Sequence, residues 1–255
     1  LSNHTHYSPT DPDAKISTKP GKPRQLNYAG QLAVDDKFHV ITGACASTAG
    51  SKDSAIFPEI MDQTIENLKQ NDIQIGEVLA DAGYSSGTSL QYCEDNNLNA
   101  WIPNFGQYKP ERKGFIFNKE ANRYECIQEG GNKAYLPFKR TLIDSKGYEK
   151  KSFRSSEQDC GKCPLRESCC GKVTKFKKLE ESIHKPLYDK MHEKLTKNKA
   201  YHRKLMKRRS ATVEPVLGTL INFFNMKKIN SRGMAQANKH VIMSSLSYNL
   251  KKYLR

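Results

Sequence analysis

The twelve residues from Ile75 to Ser86 read IGEVLADAGYSS. An apolar run, Val78-Leu79-Ala80, passes directly into a lone carboxylate, Asp81, and then into Ala82, Gly83 and Tyr84. A short apolar run closed by turn residues reads as a buried strand. An acid that ends such a strand stands where an open α/β sheet binds ligands, in the crevice beyond the carboxyl ends of its strands. Gly83 would let the backbone turn sharply there. An Asp after a strand is also an ordinary turn former or cap, so Asp81 acquires chemical meaning only in company.

The flanking sequence supplies an α/β frame. Leu26, Tyr28, Leu32 and Val34 follow a period of two, Asp35-Asp36-Lys37 makes a turn, and Phe38 to Ala44 resumes as a second strand, giving an antiparallel hairpin. Asp53 can cap a helix running to about Asn71, with Ile56, Ile60, Ile65 and Leu68 as its apolar stripe and Pro58 near its start. A helix over Ser89–Asn96 and a strand at Ala100–Pro103 follow the Asp81 strand. Four segments result: an irregular lead-in over 1–25, an α/β core over 26–105, a polar insertion over 106–185, and helices over 186–255 that complete the core.

The chain has 255 residues and a formal net charge of +15. The excess is local: Gly171 to Ser210 holds fourteen Lys or Arg against four Asp or Glu. Such a block attracts polyanions and gains from counterion release on phosphate contacts, so DNA is the expected partner. A solvated lysine-rich helix face is the bland alternative. No run of eighteen apolar residues occurs and the first thirty residues do not resemble a secretory signal, so no membrane contact is expected and a cytoplasmic, nucleoid-associated protein is.

A second acid lies in RRSATVEPVLG, Arg208 to Gly218. With Thr212 as N-cap, Glu214 and Pro215 would occupy the first turn of a helix whose stripe is Leu217, Leu220, Ile221 and Phe224, and Glu214 would share that inward face. Complementing the helix dipole is its bland role. Asp81 and Glu214 together, with Lys and Arg around them, have the composition that two-metal phosphoryl transfer requires, magnesium suiting the hard oxygen ligands.

At this point the chain resembles the DDE transposases of bacterial insertion sequences, specifically the C-terminal part of their catalytic domain. Thr10-Asp-Pro-Asp-Ala14, Leu26-Asn-Tyr with Ala33-Val-Asp35, Leu79-Ala-Asp-Ala-Gly-Tyr84, and Val213-Glu-Pro-Val-Leu-Gly218 followed by Arg232-Gly233 and Asn249-Leu-Lys-Lys252 carry the likeness, in family order. The resemblance implies a ribonuclease-H-like mixed sheet flanked by helices and a Mg2+-dependent enzyme that cleaves DNA at transposon ends and joins them to a target, as a homodimer on DNA. It makes Asp81 the second and Glu214 the third catalytic acid. Lys204, Lys207, Arg208, Arg209, Lys227 and Lys228 would follow the DNA backbone. Ile221 stands where many relatives keep a lysine. Residues 1–25 offer no third strand before the first helix, so the family's first strand and first aspartate are expected upstream of Leu1; Asp35 is a weaker candidate, and Asp11 and Asp13 weaker still. A non-catalytic DNA-binding remnant and a nuclease without strand transfer remain as alternatives.

Seven cysteines are present, an odd count that does not suit a secreted disulfide framework. Cys160 and Cys163 have the spacing by which two thiolates grip one ion, and Cys126 with Cys169 or Cys170 would complete a structural Zn2+ site in the apolar-poor insertion. Reduced thiols or a disulfide are the alternatives.

Overall fold

The computed structural model describes residues 2–17, 24–106 and 108–254. The chain divides into two compact units, Leu1–Phe105 with Lys194–Arg255, and Gly106–Glu193.

The first unit is built on an antiparallel sheet of three strands, β1 (Lys15–Ile16), β2 (Leu26–Val34) and β3 (Ile41–Thr48), in the order β1-β2-β3. The hairpin expected from period-two patterning is β2 and β3, with Tyr28 opposite Thr48 and Leu32 opposite Ala44. Asp35 holds its turn, accepting the Phe38 amide at 2.6 Å, and β3 begins three residues later than the sequence pattern indicates. The expectation that residues 1–25 contain no strand is corrected: Lys15 and Ile16 pair with Asn27 and Leu26. Two residues are too few for alternation to register in a sequence, yet Ile16 is 1% exposed and anchors the edge.

Alternate side chains of this sheet face different helices. Helix α1 (Asp53–Lys69) covers one face, approaching so closely that a Cβ on Gly43 would strike Thr64 Oγ1 and lie 3.2 Å from the Ile60 carbonyl. A glycine is required there for space. On the other face, Ile41 and Ala44 pack with Val216 and Leu220 of a later helix and Val241 of the last one, forming the main core. Strands β4 (Val78–Leu79) and β5 (Ala100–Trp101) pair in parallel, with a 3₁₀ turn (Ala82–Tyr84) and helix α2 (Gly87–Asp95) between them. Ser86 caps α2 through the Ser89 amide at 3.0 Å. The fold is thus mixed α/β, but among the described residues the antiparallel and parallel strands form separate ladders rather than the one mixed sheet expected.

The second unit is a five-stranded antiparallel sheet of β6 (Phe115–Asn118), β7 (Arg123–Cys126), β8 (Tyr135–Ile143), β9 (Glu149–Arg154) and β10 (Lys178–Ser182), ordered β10-β9-β8-β7-β6. Its core is a compact aromatic cluster: Phe153 lies edge-on to Tyr124 at 5.1 Å and to Phe138 at 5.8 Å, beside Phe115 and Leu136. Two short helices, α3 (Glu157–Gly161) and α4 (Arg166–Cys170), join β9 to β10. Helix α5 (Lys185–Lys197) contains the junction between the units, at Glu193/Lys194, a few residues beyond the boundary read from composition.

The rest of the first unit is α6 (Lys199–Phe223) and α7 (Met234–Tyr253). Thr212 does not start a helix: α6 runs unbroken through it and through Pro215. Thr212 is 3% exposed and its hydroxyl donates to the Arg208 carbonyl at 2.9 Å, the back-bond of a residue inside a helix. The missing Pro215 N–H leaves the carbonyl of Ala211, an exposed residue, without its helical partner. The buried stripe of α6 is consequently Leu205, Thr212, Val216 and Leu220, and Ile221, expected on it, is 41% exposed. Met226 lies against the core, whereas Met243 faces outward.

Candidate functional site

Pairing of β4 continues to the Ala80 amide, which donates to the Trp101 carbonyl at 3.4 Å. Asp81 is the next residue, extended at φ −81° and ψ 174°, and its Oδ1 accepts the Gly83 amide at 2.8 Å. The acid therefore closes a parallel strand and caps the tight turn that follows. Gly83 does not have a positive φ, so sharp turning is not what its position demands. Space is: a Cβ there would lie 2.9 Å from Asp81 Oδ1 and 3.0 Å from Asp53 Oδ2.

Asp53 was expected to cap α1. Instead Lys52 occupies the cap position and makes no side-chain cap bond, leaving Asp53 as the first helical residue. Its Oδ1 accepts Gln31 Nε2 at 3.0 Å, and Gln31 Oε1 accepts the Tyr84 hydroxyl. Gln31 projects from β2 and is 5% exposed. Carboxylates from α1 and from the end of β4 thus both lie near Gly83, and Gln31 joins Asp53 to Tyr84. Burial pushes the Tyr84 phenol above its ordinary range; Asp53, Asp81 and Cys45 add to this, and Arg209 of α6 opposes them. Arg209 is close enough to Tyr84 for its charge to be felt, and its Nε is buried without a hydrogen-bond partner. The sequence reading did not assign Asp53, Gln31 or Tyr84 a function. A glutamine at an inward strand position was the available signal.

Glu214 is corrected in placement: it lies in the interior of α6 and is exposed, not turned toward the core. Lys204, Lys207 and Arg208 are exposed on the same helix, Arg208 paired with Asp36, while Lys227 and Lys228 are exposed in the connection from α6 to α7. Tyr201 packs edge-on against Trp101 at 5.2 Å and donates to Glu77 at 2.9 Å.

In the second unit, Cys126, Cys160, Cys163, Cys169 and Cys170 line one cavity together with Gln128, Asn132 and Lys177. The Asn132 amide donates to Cys163 Sγ at 3.3 Å and Gln128 Nε2 to Cys169 Sγ at 3.6 Å. Burial, with Cys169 and Cys160 beside it, pushes Cys170 up to about 11. All seven thiols are free, so the disulfide alternative does not hold. Among the described residues no three His, Cys, Asp or Glu side chains are arranged to hold a metal ion as they stand.

The lead-in motif has a structural task. Asp11 Oδ1 accepts the Tyr28 hydroxyl at 2.6 Å and the Gly233 amide at 3.0 Å, and Asp13 Oδ2 accepts the Met234 amide at 2.9 Å. Two aspartates from the start of the chain thus cap α7, whose own N-cap, Gly233, has no side chain.

No helix among the described residues is long and apolar enough to cross a membrane. No curated protein and no solved structure matches the chain. Residues 131–254 match the family model described as transposase DDE domain, a segment that holds Glu214 and the later cysteines but not Asp81. Over those residues, just under half of its length, the chain is similar to the DDE transposases.

Proposed function

We propose that the chain carries out the chemistry of a DNA transposase catalytic domain of insertion-sequence type, ribonuclease-H-like in fold, performing divalent-ion-dependent cleavage and strand transfer at transposon ends. The observation that carries the reading is Asp81: an acid closing a parallel strand, over a glycine kept small by carboxylates, with Arg209 of a basic helix nearby. The family match and the net charge of +15 support it. Asp81 and Glu214 are the proposed carboxylates for Mg2+. Hard oxygen donors fit that ion, which is commonly held by one or two carboxylates with phosphate oxygens and water completing the shell. When bound, it supplies polarisation of the scissile phosphate and an activated nucleophile. The protein's own part is placement: Lys204, Lys207, Arg208, Arg209, Lys227 and Lys228 hold the DNA backbone so that the phosphate reaches Asp81. The enzyme would work as a homodimer on DNA, in the nucleoid of the cytoplasm.

We propose that the cysteine cavity of the second unit holds a structural Zn2+ once its thiols, which are not so arranged as they stand, draw together around the ion. Five thiols around one cavity exceed the four a closed tetrahedral site needs, and N–H donors to two of the sulfurs suit thiolate charge.

One observation, the exposure of Glu214 within α6, favours a second reading, a DNA-binding remnant without catalysis. Incubation with plasmid carrying the element's ends separates the two. The transposase reading expects Mg2+-dependent nicks and joined products; salt-sensitive binding with neither product supports the remnant, and nicks without joining support a nuclease.

A further inference from the structure

Helix α7 carries its large apolar residues on the side that its own unit leaves uncovered. We propose that this side pairs, antiparallel and about a two-fold axis, with the same helix of a second copy of the chain. The pairing gives a surface to the homodimer proposed above, yet it requires neither DNA nor the catalytic acids.

The inward face of α7 is small. Ala237, Val241, Ser244 and Ser245 are its buried residues, and Val241 packs with Ile41 and Ala44 of β3. The Ser244 and Ser245 hydroxyls donate to the carbonyls of Phe224 and Val241 at 2.9 and 2.8 Å. The outward face is large: Ile242, Met243, Leu246, Leu250 and Tyr253 are between 39% and 86% exposed. A surface helix ordinarily has the reverse distribution, apolar toward the core and polar toward water. Folding of a single chain gives α7 no reason to be more apolar outside than inside. Burial against a further surface does.

The spacing says which surface. Met243, Leu246, Leu250 and Tyr253 follow one another at intervals of three, four and three, the seam of a helix that packs along another helix of like kind. Ile242 flanks the seam one turn before Leu246. Among the described residues, the other exposed large apolar side chains within helices are Tyr201, Ile221 and Phe223 of α6, whose intervals make no such row. The matching seam is therefore α7 of another copy. At roughly 100 Å2 for each of the five side chains, the two faces together would bury about 1,000 Å2, the least that a specific interface requires.

Charge sets the direction. Helix α7 contains no Asp or Glu, and Lys239 stands one turn before Met243 in the same row. When Leu246 faces the partner's Leu250 and Met243 the partner's Tyr253, Lys239 reaches the partner's last helical turn, where carbonyls without helical partners carry the negative end of the dipole. A parallel pair would instead set the two Lys239 side chains against each other. Lys251 does not oppose this arrangement, since its Nζ is turned back over the Phe224 ring, 5.6 Å from the centroid. Lys252 stands on the inward row of Val241 and Ser245.

Sedimentation velocity of the full chain without DNA, from about 1 to about 100 μM, tests the proposal. It expects a reversible dimer. Leu246→Glu combined with Leu250→Glu should weaken the dimer about thirtyfold or more, and Lys239→Glu about two- to fivefold. Val173→Glu, at an exposed apolar residue of the second unit, should leave it unchanged. A wild-type chain that stays monomeric over the whole range, or a double variant that dimerises as wild type does, overturns the proposal; a Lys239→Glu chain that dimerises as wild type does overturns the antiparallel arrangement. Circular dichroism establishes that each variant is folded. Should the double variant unfold, Tyr253→Glu, at the most exposed position of the seam, is read in its place against the same outcomes. Plasmid cleavage is a separate readout, so a monomer here leaves the transposase reading standing, and failure of that reading leaves the dimer standing.

Discussion

The carboxylate of Asp11 accepts the amide of Gly233 at 3.0 Å, joining the start of the chain to the first residues of its last helix. The same carboxylate accepts the Tyr28 hydroxyl at 2.6 Å. Asp11→Ala would leave both donors unpaired, at a cost of about 1–3 kcal/mol. For a chain of this size each kcal/mol lowers the melting temperature by about 2–4 °C. Asp13→Ala, which removes one cap bond, should cost about 0.5–2 kcal/mol. Thermal denaturation of the two variants checks the order.

Asn249 makes the comparable connection at the free edge of β3. Its Oδ1 accepts the Ile41 amide at 2.9 Å and its Nδ2 donates to the Ile41 carbonyl at 2.8 Å. Asn238 accepts the Ala46 amide and Gln63 of α1 accepts the Ala44 amide, both at 2.8 Å. Side-chain amides from two helices thus occupy groups that another strand would otherwise pair with. Asn249→Ala is expected to cost about 1–3 kcal/mol and to increase aggregation, measured by urea denaturation and light scattering.

Tyr28, Tyr84, Tyr92, Tyr108 and Tyr124 are all pushed above the ordinary phenol range, in each case by burial first, with a neighbouring carboxylate adding to it. A raised folded value means that the native chain keeps its proton where the unfolded chain releases it. The contribution to stability is therefore fully present below about pH 10, the unfolded value, and is lost as the pH rises above it. Urea denaturation series from pH 8 upward should be flat in this contribution at first and then decline. Tyr124→Phe and Tyr108→Phe should each reduce the decline.

The cysteine cavity yields a compositional prediction. Purified protein should contain about one zinc per chain, released by a thiol reagent with loss of ordered structure in residues 106–193. Cys163→Ser should lower the zinc content, whereas Cys45→Ser, a buried thiol of the first unit pushed up to about 11 by burial, should not. Elemental analysis and circular dichroism read the two effects. Zinc-free protein with an unchanged spectrum would remove the assignment.

What the sequence made legible follows the length of each signal. The β2–β3 hairpin, with nine and eight residues and an Asp turn, and the seventeen-residue α1 are long enough to be read, although the inward face of α1 is Phe57, Ile60 and Met61 and, of the expected stripe of Ile56, Ile60, Ile65 and Leu68, only Ile60 is buried. β1 is two residues long and offers no period. At Glu214 the sequence misled for a definite reason: Thr followed by Glu and Pro matches a helix start, but α6 had already begun at Lys199, and the packing of Leu205, Val216 and Leu220 carries it across the proline. At Asp53 a good helix-cap residue was read locally. Its partner Gln31 and its neighbour Asp81 lie 22 and 28 positions away, and only the fold brings them near it.

Diffraction from crystals soaked in Mn2+ tests the central claim most directly, because the ion's anomalous signal locates it without reference to activity. The account predicts a peak about 2 Å from a carboxylate oxygen of Asp81, at the end of β4 and above Gly83. A well-occupied Mn2+ elsewhere, with none at Asp81, would contradict it.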